Sequence, residues 1–319
     1  MTATIEAGVP GAASPAPRSL SSFSHYRHLT LELAISQFKL RYTQSALGYL
    51  WSLLKPAMMF GITYFIFVDL FQINDNTRFY GIQLLLGIVI WTFFSECTAA
   101  SMQAVAGAGG LIRKAYFPRS ILVLAASLTS LFTFLINLVL VIVIALALRQ
   151  IVIGPQMLVA IPLLLELYLL VLGISFFLAS LQVQFRDVGH LWEVLMQLLF
   201  YGSGVMFSLT YVLQRANLAV KPSVVSLRGT AVTLHFVWVV ALVAANPIMQ
   251  IIEDLRHALI NPQAPWTILV VTGHDAAVKQ LHPLNAPWVA PIPYVIVIAV
   301  LTLGALIFRA RARNFAQDL

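Results

Sequence analysis

Six long apolar runs constrain this chain more than anything else in it. They cover residues 51–71, 80–102, 120–148, 158–182, 191–213 and 288–308. Each offers about the 20 apolar residues that a helix needs to cross a bilayer. Lipid gives the backbone no hydrogen-bond partner, so segments of this kind close their hydrogen bonds internally, as helices. Of the 319 residues, 60% are hydrophobic and only 10% charged, against roughly 25% charged in soluble domains. The expected fold is an all-α polytopic membrane protein with six transmembrane helices.

Two further segments are helical without being long enough or apolar enough to cross. Residues 25–50 place Leu31, Ile35, Phe38, Tyr42 and Tyr49 at helical spacing beside a polar stripe of Glu32, Ser36, Lys39 and Thr43. This reads as an amphipathic helix in the cytosolic interface, in contact with membrane lipids. Residues 232–245 are apolar but short, which suits a re-entrant piece. Asn246 then caps a helix with Pro247 in its first turn. Ile248, Ile251, Ile252, Leu255 and Leu259 form one face of it, with Glu253, Asp254, Arg256 and His257 elsewhere. Residues 232–260 are thus expected to form an outer re-entrant helix pair. Residues 1–24, rich in Ala, Pro and Ser and without a signal-peptide core, read as a disordered cytosolic tail.

The cations set the expected orientation. Arg18, Arg27, Lys39, Arg41, Lys55, Arg113, Lys114, Arg119, Arg186, Arg309, Arg311 and Arg313 fall on the side of the N-terminus, 12 of the 19 in the chain. The positive-inside rule makes that side cytosolic, with both termini there, in a multi-pass protein of the cytoplasmic (inner) membrane. The same rule accounts for the net charge of +7, so no nucleic-acid partner is implied.

Little in the chain suggests catalysis. There is no G-x-x-x-x-G-K-[ST] loop, no H-E-x-x-H, no C-x-x-C and no G-x-S-x-G elbow. Cys97 is the lone cysteine and the seven His are scattered, so no metal site and no catalytic group is expected. Gly202-Ser203-Gly204 reads as small residues permitting close helix contact. Glu96 and Glu166 lie inside spans, where a charge needs a reason. Structural pairing leads for both, with a wet pathway or a proton relay as the alternatives. Tyr64, Phe93, Phe94, Phe176 and Tyr201 either pack or line a path on which sugar rings could stack.

One short loop breaks the pattern. Residues 111–119 place Arg113, Lys114 and Arg119 around Tyr116, Phe117 and Pro118 between two spans. Cations alone would set topology; aromatics and a proline beside them suit docking onto a cytosolic protein.

Three separated stretches resemble one family, the ABC-2 type permeases that export lipid-linked polysaccharides such as O-antigen, capsule, teichoic acid and galactan. Residues 38–56, FKLRYTQSALGYLWSLLKP, resemble its interface helix and the Leu-Gly loop into span one. Residues 112–119, IRKAYFPR, resemble its coupling helix. Asn246-Pro247 with Glu253 and Arg256 resembles its outer gate helix, and Arg186-Asp187 also fits. Residues 214–245 and 263–287 are longer than the family pattern, so the outer segment departs from it.

The resemblance implies a half-transporter for cell-envelope biogenesis. A second copy of the chain would complete the channel, and two copies of a cytosolic ABC ATPase would bind ATP and Mg, with no cofactor on this chain. Arg113, Lys114, Tyr116, Phe117, Pro118 and Arg119 would couple to the ATPase. Lys39, Arg41, Tyr42, Leu47, Gly48, Trp51 and Lys55 would form the cytosolic gate for a polyprenyl-diphosphate-linked polymer. Asn246, Pro247, Glu253 and Arg256 would form the outer gate. Three rivals stand beside this reading: an ABC-2 exporter of a small hydrophobic compound or drug, a proton-coupled secondary transporter using Glu96 and Glu166, and a membrane glycosyltransferase.

Overall fold

The computed structural model describes residues 19–43, 48, 50–70, 79–110, 118–151, 153–208, 245–260, 266–267, 291–312 and 315. Among them are eight α-helices and no strand. We number them α1 (Ser19–Tyr42), α2 (Leu50–Tyr64), α3 (Tyr80–Ala106), α4 (Ser120–Ala147), α5 (Ala160–Gln184), α6 (Val188–Gly202), α7 (Pro247–Leu259) and α8 (Ile292–Arg311). A π-helical stretch, Phe65–Leu70, extends α2, and a 3₁₀ turn, Pro155–Val159, leads into α5.

Five of these are long and apolar enough to cross a membrane: Leu50–Leu70, Tyr80–Ala106, Ser120–Ala147, Pro155–Gln184 and Ile292–Arg311. Helix α3 is the axis of the bundle, with nearly all of its first half buried against α4, α5 and α7. It runs antiparallel to α4, since Cys97 meets Ser127 and Phe93 stacks on Phe134. Helices α5 and α8 run parallel and touch at Gly173 and Gly304, where a side chain on Gly304 would strike the Gly173 carbonyl. Small residues replace the hydrophobic drive that lipid does not supply. Three buried threonine hydroxyls are satisfied within their own helices: Thr92, Thr98 and Thr129 donate to the carbonyls of Ile88, Phe94 and Ala125.

The fifth expected span, residues 191–213, is met only in part. Helix α6 has 15 residues, about 22 Å at 1.5 Å per residue, short of the roughly 30 Å hydrocarbon core. It stops because the backbone beyond Gly202 gives its carbonyls to side chains from elsewhere. Tyr80 donates to Met206, and Arg256 donates to Val205 and Phe207. Gly204 permits the turn with φ of 70°, where any side chain would run into Met249. The chain still travels the length of α3: Trp192 Nε1 donates to Thr98 Oγ1 at 3.0 Å, and Met206 sits beside Tyr80. Residues 209–213 lie outside the described residues.

Helix α1 also departs from expectation. It is already helical at Ser19, inside the segment read as disordered, and it ends at Tyr42. Thr30 and Ala34 form the buried face, while Leu31 and Ile35 are exposed. The small Ala34 lets α1 approach α4 closely enough for Thr129 Oγ1 to donate to the Ala34 carbonyl at 3.1 Å. Phe38 then meets Phe132 edge to face. The other half of the expected re-entrant pair, residues 232–245, lies outside the described residues up to 244, as do residues 1–18.

Candidate functional site

The bundle has two ends of different character. The first gathers the ends of α3, α5 and α8, the starts of α4 and α6, and the cations Arg119, Arg186, Arg309 and Arg311. We call it the basic end. The second holds α7 and the start of α3.

Three helices bring charge together on the basic-end side. Lys55 Nζ of α2 donates to Glu96 Oε1 of α3 at 2.9 Å, and Arg41 Nη1 of α1 lies 3.7 Å from Glu96 Oε2. Glu96 is one helical turn from the Cys97–Ser101 face that packs inside the bundle, so its backbone is held. The cations sit on looser elements: within α2 only Pro56 and Thr63 are buried. Side-chain exposure is 65% for Lys55, 36% for Arg41 and 22% for Glu96. Together with Trp51, Ser52 and Met58 they line a cavity of about 400 Å³. The connection between α1 and α2 turns at Gly48, whose φ is 51°. Lys39 is exposed in the last turn of α1, and its carbonyl accepts from Thr43 Oγ1 at 2.6 Å. Tyr42 closes α1; Leu47 lies outside the described residues.

Of the expected coupling residues, Arg113, Lys114, Tyr116 and Phe117 lie outside the described residues. Pro118 is exposed, and its carbonyl accepts from the Ile121 amide as α4 begins. The Arg119 guanidinium stands 5.9 Å from the ring centre of buried Phe315, within cation–π range. The start of α4 is thereby tied to the tail beyond α8.

At the far end, α7 is wholly buried, its polar face included. Asn246 Oδ1 accepts from the Ile248 amide at 3.0 Å, and its Nδ2 donates to the last carbonyl of α6, Gly202, at 3.4 Å. One side chain therefore caps the start of one helix and the end of another. Pro247 takes the first position, where its missing N–H costs nothing. Arg256 donates to Glu253 Oε1 at 3.2 Å and to the carbonyls of Val205, Gln83 and Phe207 at 2.7, 3.3 and 3.4 Å. Gly87 of α3 makes the room, since a Cβ there would sit 3.0 Å from Arg256 Nη2.

Beside this lies a second buried group, of which the sequence singles out only Glu166. Asp254 accepts from the Thr267 amide at 2.8 Å and from Gln250 Nε2 at 2.7 Å. Gln250 Nε2 also reaches Tyr294 at 3.4 Å, and Glu166 faces Asp254 and Gln250. Burial pushes the Asp254 carboxyl above the ordinary carboxylate range, against the lowering effect of the Thr267 and Gln250 hydrogen bonds. The polar positions in α7 were the one local signal for this group. Its acceptors and neighbours come from distant segments and leave no sequence signature.

A second cavity, of about 650 Å³, lies between α2, α3 and α4 and is lined mainly by apolar groups, including Phe60, Tyr64, Leu85 and Val89. Among the described residues no group of three or more His, Cys, Asp or Glu could hold a metal ion.

Comparison with known proteins agrees with this architecture. The family described as ABC-2 type transporter matches residues 28–215, 188 of the 319 residues. An O-antigen export system permease protein RfbA of Myxococcus xanthus is 27% identical over 194 residues, 60% of this chain and 73% of the relative. Two proteins of the same name from Klebsiella pneumoniae are 28% identical over 183 residues (56% and 69%) and 24% identical over 265 residues (81% and 91%). ABC-2 permeases work with ABC ATPase subunits, which accords with a chain that has no P-loop. The matched region runs from α1 to beyond α6 and takes in the Glu96 cluster and the broken fifth traverse, and the chain accordingly belongs to the ABC-2 type transporter family, as a multi-pass membrane permease, a transport subunit without a catalytic domain.

Proposed function

We propose that this permease exports a polysaccharide carried on a polyprenyl diphosphate across the cytoplasmic membrane, as a pair of identical chains driven by two ABC ATPase subunits. The observation that carries the reading is the similarity to O-antigen export permeases, which in one case extends over 91% of the relative. Geometry supports it. Arg41 and Lys55 present two cations beside Trp51 on the wall of one cavity, and a diphosphate must be met by charge. In this reading the basic end is cytosolic and residues 111–119 dock on the ATPase. The broken fifth traverse brings the crossings to six with both termini cytosolic, and α7 forms the outer gate. ATP binding shifts the channel between closed and open by differential contacts at the docking loop.

The test is reconstitution of the chain with its ATPase and a polyprenyl-diphosphate glycan in vesicles. ATP-dependent arrival of glycan in the lumen is expected, and it is expected to be lost in the R113E/K114E variant. A second reading, export of a small hydrophobic compound, draws on the 650 Å³ apolar cavity. ATP-dependent accumulation of such compounds, with the glycan left outside, would establish it in place of the first.

A further inference from the structure

The geometry points to Glu96 as a built-in stand-in for a phosphate-type anion: it holds Arg41 and Lys55 in the resting arrangement and yields them when a phosphate or diphosphate binds. This rests on the reading of Arg41 and Lys55 as the cations that face the substrate.

The cluster has one carboxylate between two cations, so it keeps a surplus positive charge. It also keeps surplus donors. Lys55 has three N–H groups and gives one to Glu96; Arg41 has five, and at 3.7 Å its contact with Glu96 lies beyond hydrogen-bond range. Both cations open onto the 400 Å³ cavity, and Ser52 adds a hydroxyl to its wall. A diphosphate brings more charge and more acceptor oxygens than one carboxylate, and accepts charge-assisted hydrogen bonds from both cations at once. Glu96 cannot follow the cations away, because α3 is the buried axis of the bundle. Helix α2 can move, since only Pro56 and Thr63 are buried along it, whereas α1 is held to α4 through Ala34 and Phe38.

Exchange of partners therefore has a mechanical result. While Glu96 holds Arg41 and Lys55, it pins α2 and the last turn of α1 to α3. When a phosphate group takes the cations, the pin is released and α2 shifts with the ligand against the end of α1. The ligand interacts differently with the two arrangements, which is what a population shift requires. Two sources supply the chemistry: the diphosphate of a polyprenyl carrier and the headgroup of an anionic phospholipid.

The experiment uses the full chain in nanodiscs and calorimetric titration with farnesyl diphosphate and with inorganic pyrophosphate. Substituting Glu96→Gln keeps an acceptor for Lys55 and removes the competing charge. Farnesyl diphosphate is expected to bind roughly fivefold tighter to it than to the unmodified chain, the scale of one exposed ion pair. Glu96→Asp, which keeps the charge but withdraws it, should fall between the two, and carries the test if the Gln variant folds poorly. Phosphatidylcholine discs are compared with phosphatidylglycerol discs: affinity unchanged between them assigns the site to the diphosphate, and affinity lost in phosphatidylglycerol assigns it to the lipid headgroup. Unaltered or weaker binding by both Glu96 variants, with Arg41→Ala and Lys55→Ala still weakening it, overturns the stand-in and leaves the basic gate intact. No effect of Arg41→Ala or Lys55→Ala overturns the gate itself.

Discussion

The molecule carries two acid–base clusters built from the same side chains and put to opposite ends. At the far end, Arg256 and Glu253 are 4% and 8% exposed and lie three residues apart on one helix. At the basic end, Lys55, Arg41 and Glu96 are 65%, 36% and 22% exposed and come from three helices. Arg256 has spent its donors on three carbonyls and one carboxylate, leaving little for a ligand. Lys55 and Arg41 hold most of theirs in reserve. Burial turns a charge into a fastener, while partial exposure leaves it available for exchange. The first kind suits a gate helix that moves as a unit; the second suits contact with an anion in transit.

The sharpest way to break this contrast is to remove the sealed guanidinium. Arg256→Met leaves Glu253 buried without its partner and strands the carbonyls of Val205, Gln83 and Phe207. A loss of about 3–5 kcal/mol is expected, read as a lowered melting temperature in detergent. Pairing it with Glu253→Leu should recover part of that loss, because the uncompensated charge is gone. If Arg256→Met melts with the unmodified chain, the far-end cluster is not the fastener described.

A smaller strike at the same cluster comes from the opposite wall. Gly87→Val puts side-chain atoms where Arg256 Nη2 lies, only 3.0 Å from the position of a Cβ. Overpacking of this kind costs about 1–3 kcal/mol. Because the clash and the guanidinium share one site, Gly87→Val and Arg256→Met together should cost less than the sum of their separate losses. Strict additivity in thermal melts would place the damage elsewhere in α3.

How far each cluster could be read in the sequence follows from the same contrast. Asn246-Pro247 was legible because capping is local: the cap and the amide it accepts from are two residues apart. The five spanning helices were legible because apolar length is local as well. The end of α6 was not. Its apolar composition runs past Gly202, and what stops the helix is the claim on its carbonyls by Tyr80 and Arg256, 126 and 51 positions from their acceptors. The burial of α7's polar face was not legible either, since helical periodicity cannot tell water from a ring of backbone carbonyls. For α1, the apolar stripe of Leu31 and Ile35 stays exposed, and the face that packs on α4 through Thr30 and Ala34 is too small and polar to stand out in the sequence. Glu96 could be seen to need a partner, but Lys55 stands 41 positions away, and no spacing rule reaches that far.

The smallest expected effect tests the other half of the contrast. A double-mutant cycle of Lys55→Ala and Glu96→Gln should give a coupling in stability of about 1 kcal/mol or less, shrinking further as salt is raised. Lys55 is two-thirds exposed and sits on the least buried of the five candidate spans, so the fold draws little from the pair. The same two substitutions should move ligand affinity in opposite directions, Lys55→Ala weakening it and Glu96→Gln strengthening it. That split is what separates an exchangeable pair from a structural one: a fastener changes melting first and binding only through it. A coupling of several kcal/mol that resists salt would make the basic-end cluster a second fastener, and the difference between the two ends of the bundle would then be one of position alone.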